Sequence, residues 1–131
     1  MISEPKWITP RITHALHDRQ LAEHGGQSGL RDEGLLLSAL ARPQQLLSYG
    51  SPPPDLCALA AAYAYGIAKN HPFLDGNKRT AFVAYRLFLR WNGLKLLAAK
   101  TERYVTMFNL AAGDLSEADF AAWLRDNTAP A

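Results

Sequence analysis

Residues 71–80 read His71-Pro72-Phe73-Leu74-Asp75-Gly76-Asn77-Lys78-Arg79-Thr80, and a strongly helical run, Asn77 to Trp91, follows at once. Pro72 biases His71 away from the right-handed helical region, so the histidine is expected on an extended segment ahead of a turn. Gly76 permits a positive φ or close approach of a ligand to the backbone. An Ala-rich apolar run ends just upstream, so the decapeptide is the loop between two helices. A helix start exposes unpaired N–H groups and the positive end of the macrodipole, a natural seat for phosphate. Lys78 and Arg79 fall in that first turn, where cations oppose the dipole at a cost of up to roughly 1 kcal/mol. Local misplacement of this kind is expected where function overrides stability, and an anionic ligand would resolve it.

The side chains around that start suit phosphoryl or nucleotidyl transfer. An imidazole titrating near neutrality can take a proton from an attacking hydroxyl, which makes His71 a candidate general base; a lone histidine is otherwise more often structural. Asp75 is either an acid favoured by the helix dipole or, with phosphates at the helix start, a ligand for Mg²⁺. Asn77 can cap the helix or contact a phosphate. Phe73, two residues from His71, reads as a core anchor, which requires a tight turn between them. Arg86 and Arg90 lie on the Arg79 face of the helix and read as solvated or ion-paired.

Outward from the loop, helix signals recur. Thr9-Pro10 opens a first helix with a stripe of Ile12, Ala15 and Leu16, ended by Gly25-Gly26. Asp32 caps a second, Glu33 to Ala41, stopped near Pro43; residues 42–54, rich in proline, are not expected to be regular helix. Asp55 caps a third, to about Asn70, whose alanines suit close central packing. Asn92-Gly93 ends the fourth. Leu94 to Leu97 reads as a short extended piece, and a fifth helix runs from about Thr101 to Ala112. Ser116 opens a sixth carrying Phe120, Trp123 and Leu124, and Ala129-Pro130-Ala131 should fray. No useful period-2 run appears. The expected fold is all-α, a compact bundle of about six helices in a single domain spanning residues 1–131.

Composition narrows the partners. A net charge of +2 without a Lys/Arg run gives no footprint for nucleic acid, and 48% hydrophobic residues argue against disorder. The single cysteine, Cys57, excludes an internal disulfide framework and reads as a small buried hydrophobe. The N-terminus lacks a signal-peptide h-region, and the longest apolar stretch, Leu56 to Ala68, is too short to span a bilayer. A cytoplasmic protein with no membrane or direct nucleic-acid partner is expected.

His71 to Arg79 resembles the Fic motif, His-x-Phe-x-[Asp/Glu/Asn]-[Gly/Ala]-Asn-x-x-x-x-Arg, and the Asn77-Lys78-Arg79-Thr80 ending looks like its death-on-curing (Doc) branch. Gly29-Leu30-Arg31-Asp32-Glu33, Ala41-Arg42-Pro43-Gln44 and Ala60-Ala61-Ala62-Tyr63 are also typical of Doc-like chains, so the resemblance covers nearly the whole sequence. It implies ATP as substrate with Mg²⁺, His71 as base, Asp75 as metal ligand, and Gly76, Asn77, Lys78 and Arg79 as an anion nest, with Lys69 a matching cation upstream. It implies too that the apolar stretch 42–54 is a flap, possible short β structure, holding a target peptide with Gln44, Gln45, Leu46, Leu47, Ser48 and Tyr49.

Two positions depart from the AMP-transferring Fic pattern: Lys78 replaces a glycine and Phe82 replaces an arginine that holds the distal phosphates. Both changes belong to the Doc branch, whose activity is kinase action on a translation elongation factor, so the resemblance favours transfer of the γ-phosphate to a Ser or Thr hydroxyl. AMP transfer is the alternative within the family, and a non-catalytic nucleotide- or partner-binding module the alternative outside it. The inhibitory pattern [Ser/Thr]-x-x-x-Glu-[Gly/Asn] is absent, because no glutamate has Ser or Thr four residues before it. A separate antitoxin chain is therefore the expected restraint.

Overall fold

The computed structural model describes residues 4–131 and is built of six helices and one short sheet. In chain order these are α1 (Pro10–His24), α2 (Glu33–Tyr49), α3 (Leu56–Asn70), α4 (Asn77–Trp91), β1 (Leu94–Leu96), α5 (Lys100–Ala112), α6 (Glu117–Asp126) and β2 (Thr128–Pro130). The expected caps are present. Thr9, Asp32, Asp55 and Ser116 each accept from the main-chain N–H three residues on, satisfying donors that a helix start leaves open.

Helix α3 is the axis of the bundle, packing against α2, α4, α5 and α6. Its alanines bring the neighbouring helices close, and Leu59, Tyr63 and Ile67 fill the space between them. Tyr63 keeps its hydroxyl satisfied by accepting from the Ile8 N–H. Phe88 tilts against Tyr63, while Phe120 meets Tyr85 edge-on. Cys57 is buried as expected, and burial raises its thiol pKa.

Four expectations need correction. Helix α2 does not stop near Pro43 but runs through it to Tyr49, so residues 44–49 are helical and only 50–54 connect α2 to α3. Proline leaves the Ala39 carbonyl without its intrahelical donor, a cost of about 3 kcal/mol. Burial of Pro43 and the packing of half-buried Leu46 and Leu47 on the core, on the order of 1 kcal/mol each, offset it. The extended structure consequently lies elsewhere. The C-terminus does not fray: Thr128–Pro130 pairs antiparallel with Leu94–Leu96, and the Ala131 N–H donates to the Gly93 carbonyl. The inward side of α1 is Thr13 and His17 beside half-buried Ile12 and Leu16, whereas Ala15 is exposed. Polar residues fit there because each has a partner, Thr13 on the Thr9 carbonyl and His17 on the Asp75 carbonyl. Lastly, His71 is left-handed rather than extended, with φ 49 and ψ 57.

Candidate active site

The left-handed turn at His71 ends α3, with the His71 N–H donating to the Ile67 carbonyl. A non-glycine residue held there stores on the order of 1–3 kcal/mol, which the surroundings must supply. Arg31 does so: its guanidinium donates to the Asn70 carbonyl at 2.7 Å and the His71 carbonyl at 2.6 Å. The main-chain N–H groups of Arg31 and Asp32 both donate to the Pro72 carbonyl, and the Leu74 N–H donates to the Gly29 carbonyl. The motif loop is thus stitched to the segment that leads into α2.

Phe73 is 1% exposed and anchors the loop, as its position suggested. The His17 ring stacks on it at 3.8 Å between centroids, 8° from parallel. From the same position His17 Nε2 donates to the Asp75 carbonyl at 2.8 Å, so one buried side chain of α1 fixes both ends of the turn.

Gly76, with φ 78, is the residue that caps α4, and it offers no side chain. Asn77 therefore does not cap the helix. Its amide turns back, Oδ1 accepting from the Phe73 N–H at 3.0 Å and Nδ2 donating to the Phe73 carbonyl at 2.9 Å. Nδ2 also faces His71 Nδ1 at 3.3 Å. The amide is spent inside the loop, leaving Asn77 only its main-chain N–H for an external anion. The first main-chain bond of α4 runs from the Thr80 N–H to the Gly76 carbonyl. The N–H groups of Asn77, Lys78 and Arg79 precede it and form an open helix start.

Asp75 is exposed beside that start. Oδ2 accepts from the Gln27 N–H at 3.1 Å and Oδ1 from the Gly76 N–H at 2.8 Å. These two bonds, led by Gln27, hold its carboxyl below the usual pKa, so it stays ionised across the neutral range. A Cβ at Gly26 would stand 2.7 Å from Asp75 Oδ2, so a glycine there keeps room at the carboxylate. Among the described residues no cluster of three or more His, Cys, Asp or Glu could hold a metal. One exposed carboxylate still fits Mg²⁺, which ordinarily takes one or two protein carboxylates and fills its octahedron with water and phosphate oxygens.

The cations are arranged unevenly. Lys69 is exposed in the last turn of α3, and Arg79 is exposed with no ion pair among the described residues. Lys78 lies with Nζ 4.8 Å from the centroid of Phe108 on α5. Phe82 is half-buried, edge-on to Tyr85, and the Arg86 guanidinium lies over its ring, 5.0 Å from the centroid. Of the proposed flap residues, Gln44, Gln45, Ser48 and Tyr49 are exposed on the last turns of α2, while Leu46 and Leu47 lean on the core. Arg31 and His17 escaped sequence reading because their partners lie 58 residues away for His17 and 39 or 40 for Arg31.

An all-α scaffold here presents an exposed imidazole, an ionised carboxylate and an open, cation-flanked helix start. Such a set can seat a polyanion and a divalent ion and can accept a proton. Residues 7–89 match the Fic/DOC family. The chain is 34% identical over 118 residues to a protein called protein kinase doc from Escherichia phage P1, covering 90% of this chain and 92% of that one. It is 46% identical over 74 residues to a protein called toxin Doc from Mycolicibacterium smegmatis, covering 56% and 57%. The chain belongs to the Fic/DOC family.

Proposed function

We propose that this single-domain protein is the toxin of a toxin–antitoxin module, acting in the cytoplasm as a kinase that moves the γ-phosphate of ATP onto a Ser or Thr hydroxyl of a cellular protein, for which a translation elongation factor is our candidate. The observation that carries this reading is Phe82, half-buried between Tyr85 and Arg86 one turn into α4. No guanidinium stands at that position to grip distal phosphates as AMP-transferring relatives would, which leaves the γ-phosphate free to be the group presented. The phage relative is itself called a protein kinase, which supports this reading.

In this reading the phosphates lie across the N–H groups of Asn77, Lys78 and Arg79, with the Arg79 and Lys78 side chains on their oxygens and Lys69 nearby. Lys78 leaves Phe108 to do so. Asp75 would hold Mg²⁺, which neutralises charge on the phosphate oxygens when bound. The target is held along the C-terminal turns of α2, by Gln44, Gln45, Ser48 and Tyr49 with Leu46 and Leu47 behind them. The hydroxyl oxygen bonds to the γ-phosphorus, the bond to the β-bridging oxygen breaks, ADP leaves with that electron pair, and His71 takes the hydroxyl proton. A cognate antitoxin chain supplies the restraint that this sequence lacks. Growth arrest on expression should vanish in His71→Ala, with circular dichroism unchanged. A toxic, folded His71→Ala protein would remove His71 from the chemistry and with it this mechanism.

A further inference from the structure

The Asn77 amide is locked by two bonds to a single residue. Its oxygen must face the Phe73 N–H, and its nitrogen must face the Phe73 carbonyl. A flip would set donor against donor and acceptor against acceptor, so the orientation is decided by the backbone. One amide hydrogen goes to that carbonyl, and the second points at His71 Nδ1, 3.3 Å away. A nitrogen facing a donor must present its lone pair.

We infer that Asn77 is a positioning residue that fixes the tautomer of His71, holding the neutral resting ring with its proton on Nε2. This rests on the reading of His71 as the base. Nε2 makes no hydrogen bond among the described residues, so it is the nitrogen open to an incoming hydroxyl. In the resting tautomer that nitrogen is a donor and cannot take the proton. For Nε2 to act as base the ring must carry its proton on Nδ1, which points at the Asn77 donor, so the contact has to open as the target hydroxyl arrives. At rest a neutral amide thus keeps the proton on Nε2, and local movement of the ring frees that nitrogen to act as the base.

The test is nitrogen NMR of histidine-labelled protein without nucleotide, at a pH where the ring is neutral, with the His71 signals assigned by their loss in His71→Ala. The wild type should show an Nε2–H ring whose Nδ1 carries the shift of a hydrogen-bonded acceptor. Asn77→Asp keeps an oxygen for the Phe73 N–H and turns the other, an acceptor, toward Nδ1, so the majority form should switch to Nδ1–H. Asn77→Ala, the milder change, should move Nδ1 to the shift of a nitrogen without a hydrogen bond. An Nδ1 signal identical in the wild type and whichever variants fold overturns the inference. Because no nucleotide is present, this result is independent of whether the protein transfers phosphate.

Discussion

His71 occupies a backbone conformation that glycine adopts freely and histidine does not, with φ 49. His71→Gly should therefore be more stable than His71→Ala by about 1 kcal/mol, since alanine keeps the Cβ penalty. Urea unfolding of the two variants measures this, and equal midpoints would mean that the turn is unstrained. The sequence told part of this site. Phe73 read as an anchor because an aromatic two residues from a candidate base has little else to do, and Asp75 read as an acid at a helix start. Of the two roles read for Asn77, that of helix cap does not hold. Asparagine before a helix is ordinarily its cap, and only the positive φ of Gly76 moves the cap back and frees the amide to turn inward. His17 was not singled out in the sequence; its role appears only when Phe73 lies against it.

At the scale of elements, α3 and α4 were legible from end to end because their start and stop residues are local. Helix α2 was not, because proline rules weigh local cost while burial is decided by α3. Gly66 shows how close that contact is: a Cβ there would lie 3.2 Å from the Ala39 carbonyl oxygen. Pro43→Ala restores a donor to that carbonyl and loses ring packing of roughly two methylenes, so stability should rise by about 1 kcal/mol. A fall in the thermal midpoint would show that the proline ring is a needed part of the core. The first turn of α4 supports a second prediction. Arg79→Ala removes a cation opposed to the dipole and should leave stability unchanged or slightly raised. Lys78→Ala also loses the contact with Phe108, worth about 0.5–1 kcal/mol at an exposed site, and should be the less stable of the two. Each should weaken ATP binding by about 1.5–3 kcal/mol, the range for hydrogen bonds to charged groups. Calorimetric titration with unaltered affinity in both variants would remove them from the phosphate site.

Across the whole molecule the bundle was readable because six amphipathic or apolar segments have one economical way to bury their faces, around the segment richest in alanine. The pairing of Thr128–Pro130 with Leu94–Leu96 was half readable: Leu94 to Leu97 read as extended and is the strand Leu94–Leu96, whereas Thr128–Pro130 has no pattern of its own and is ordered by pairing with it. The scaffold brings residues from three places to one point: His17 from α1, Gln27 and Arg31 from the segment before α2, and the loop itself. That convergence fixes Asp75 and His71 around the start of α4, the point we propose transfers a phosphoryl group. Wild-type protein is incubated with a bacterial lysate and ATP labelled at the γ- or the α-phosphate, and the modified protein is weighed by mass spectrometry. Label should come from the γ position alone, with a gain of one phosphate on a Ser or Thr. Label from the α position, with the mass of an adenylate, would overturn phosphoryl transfer.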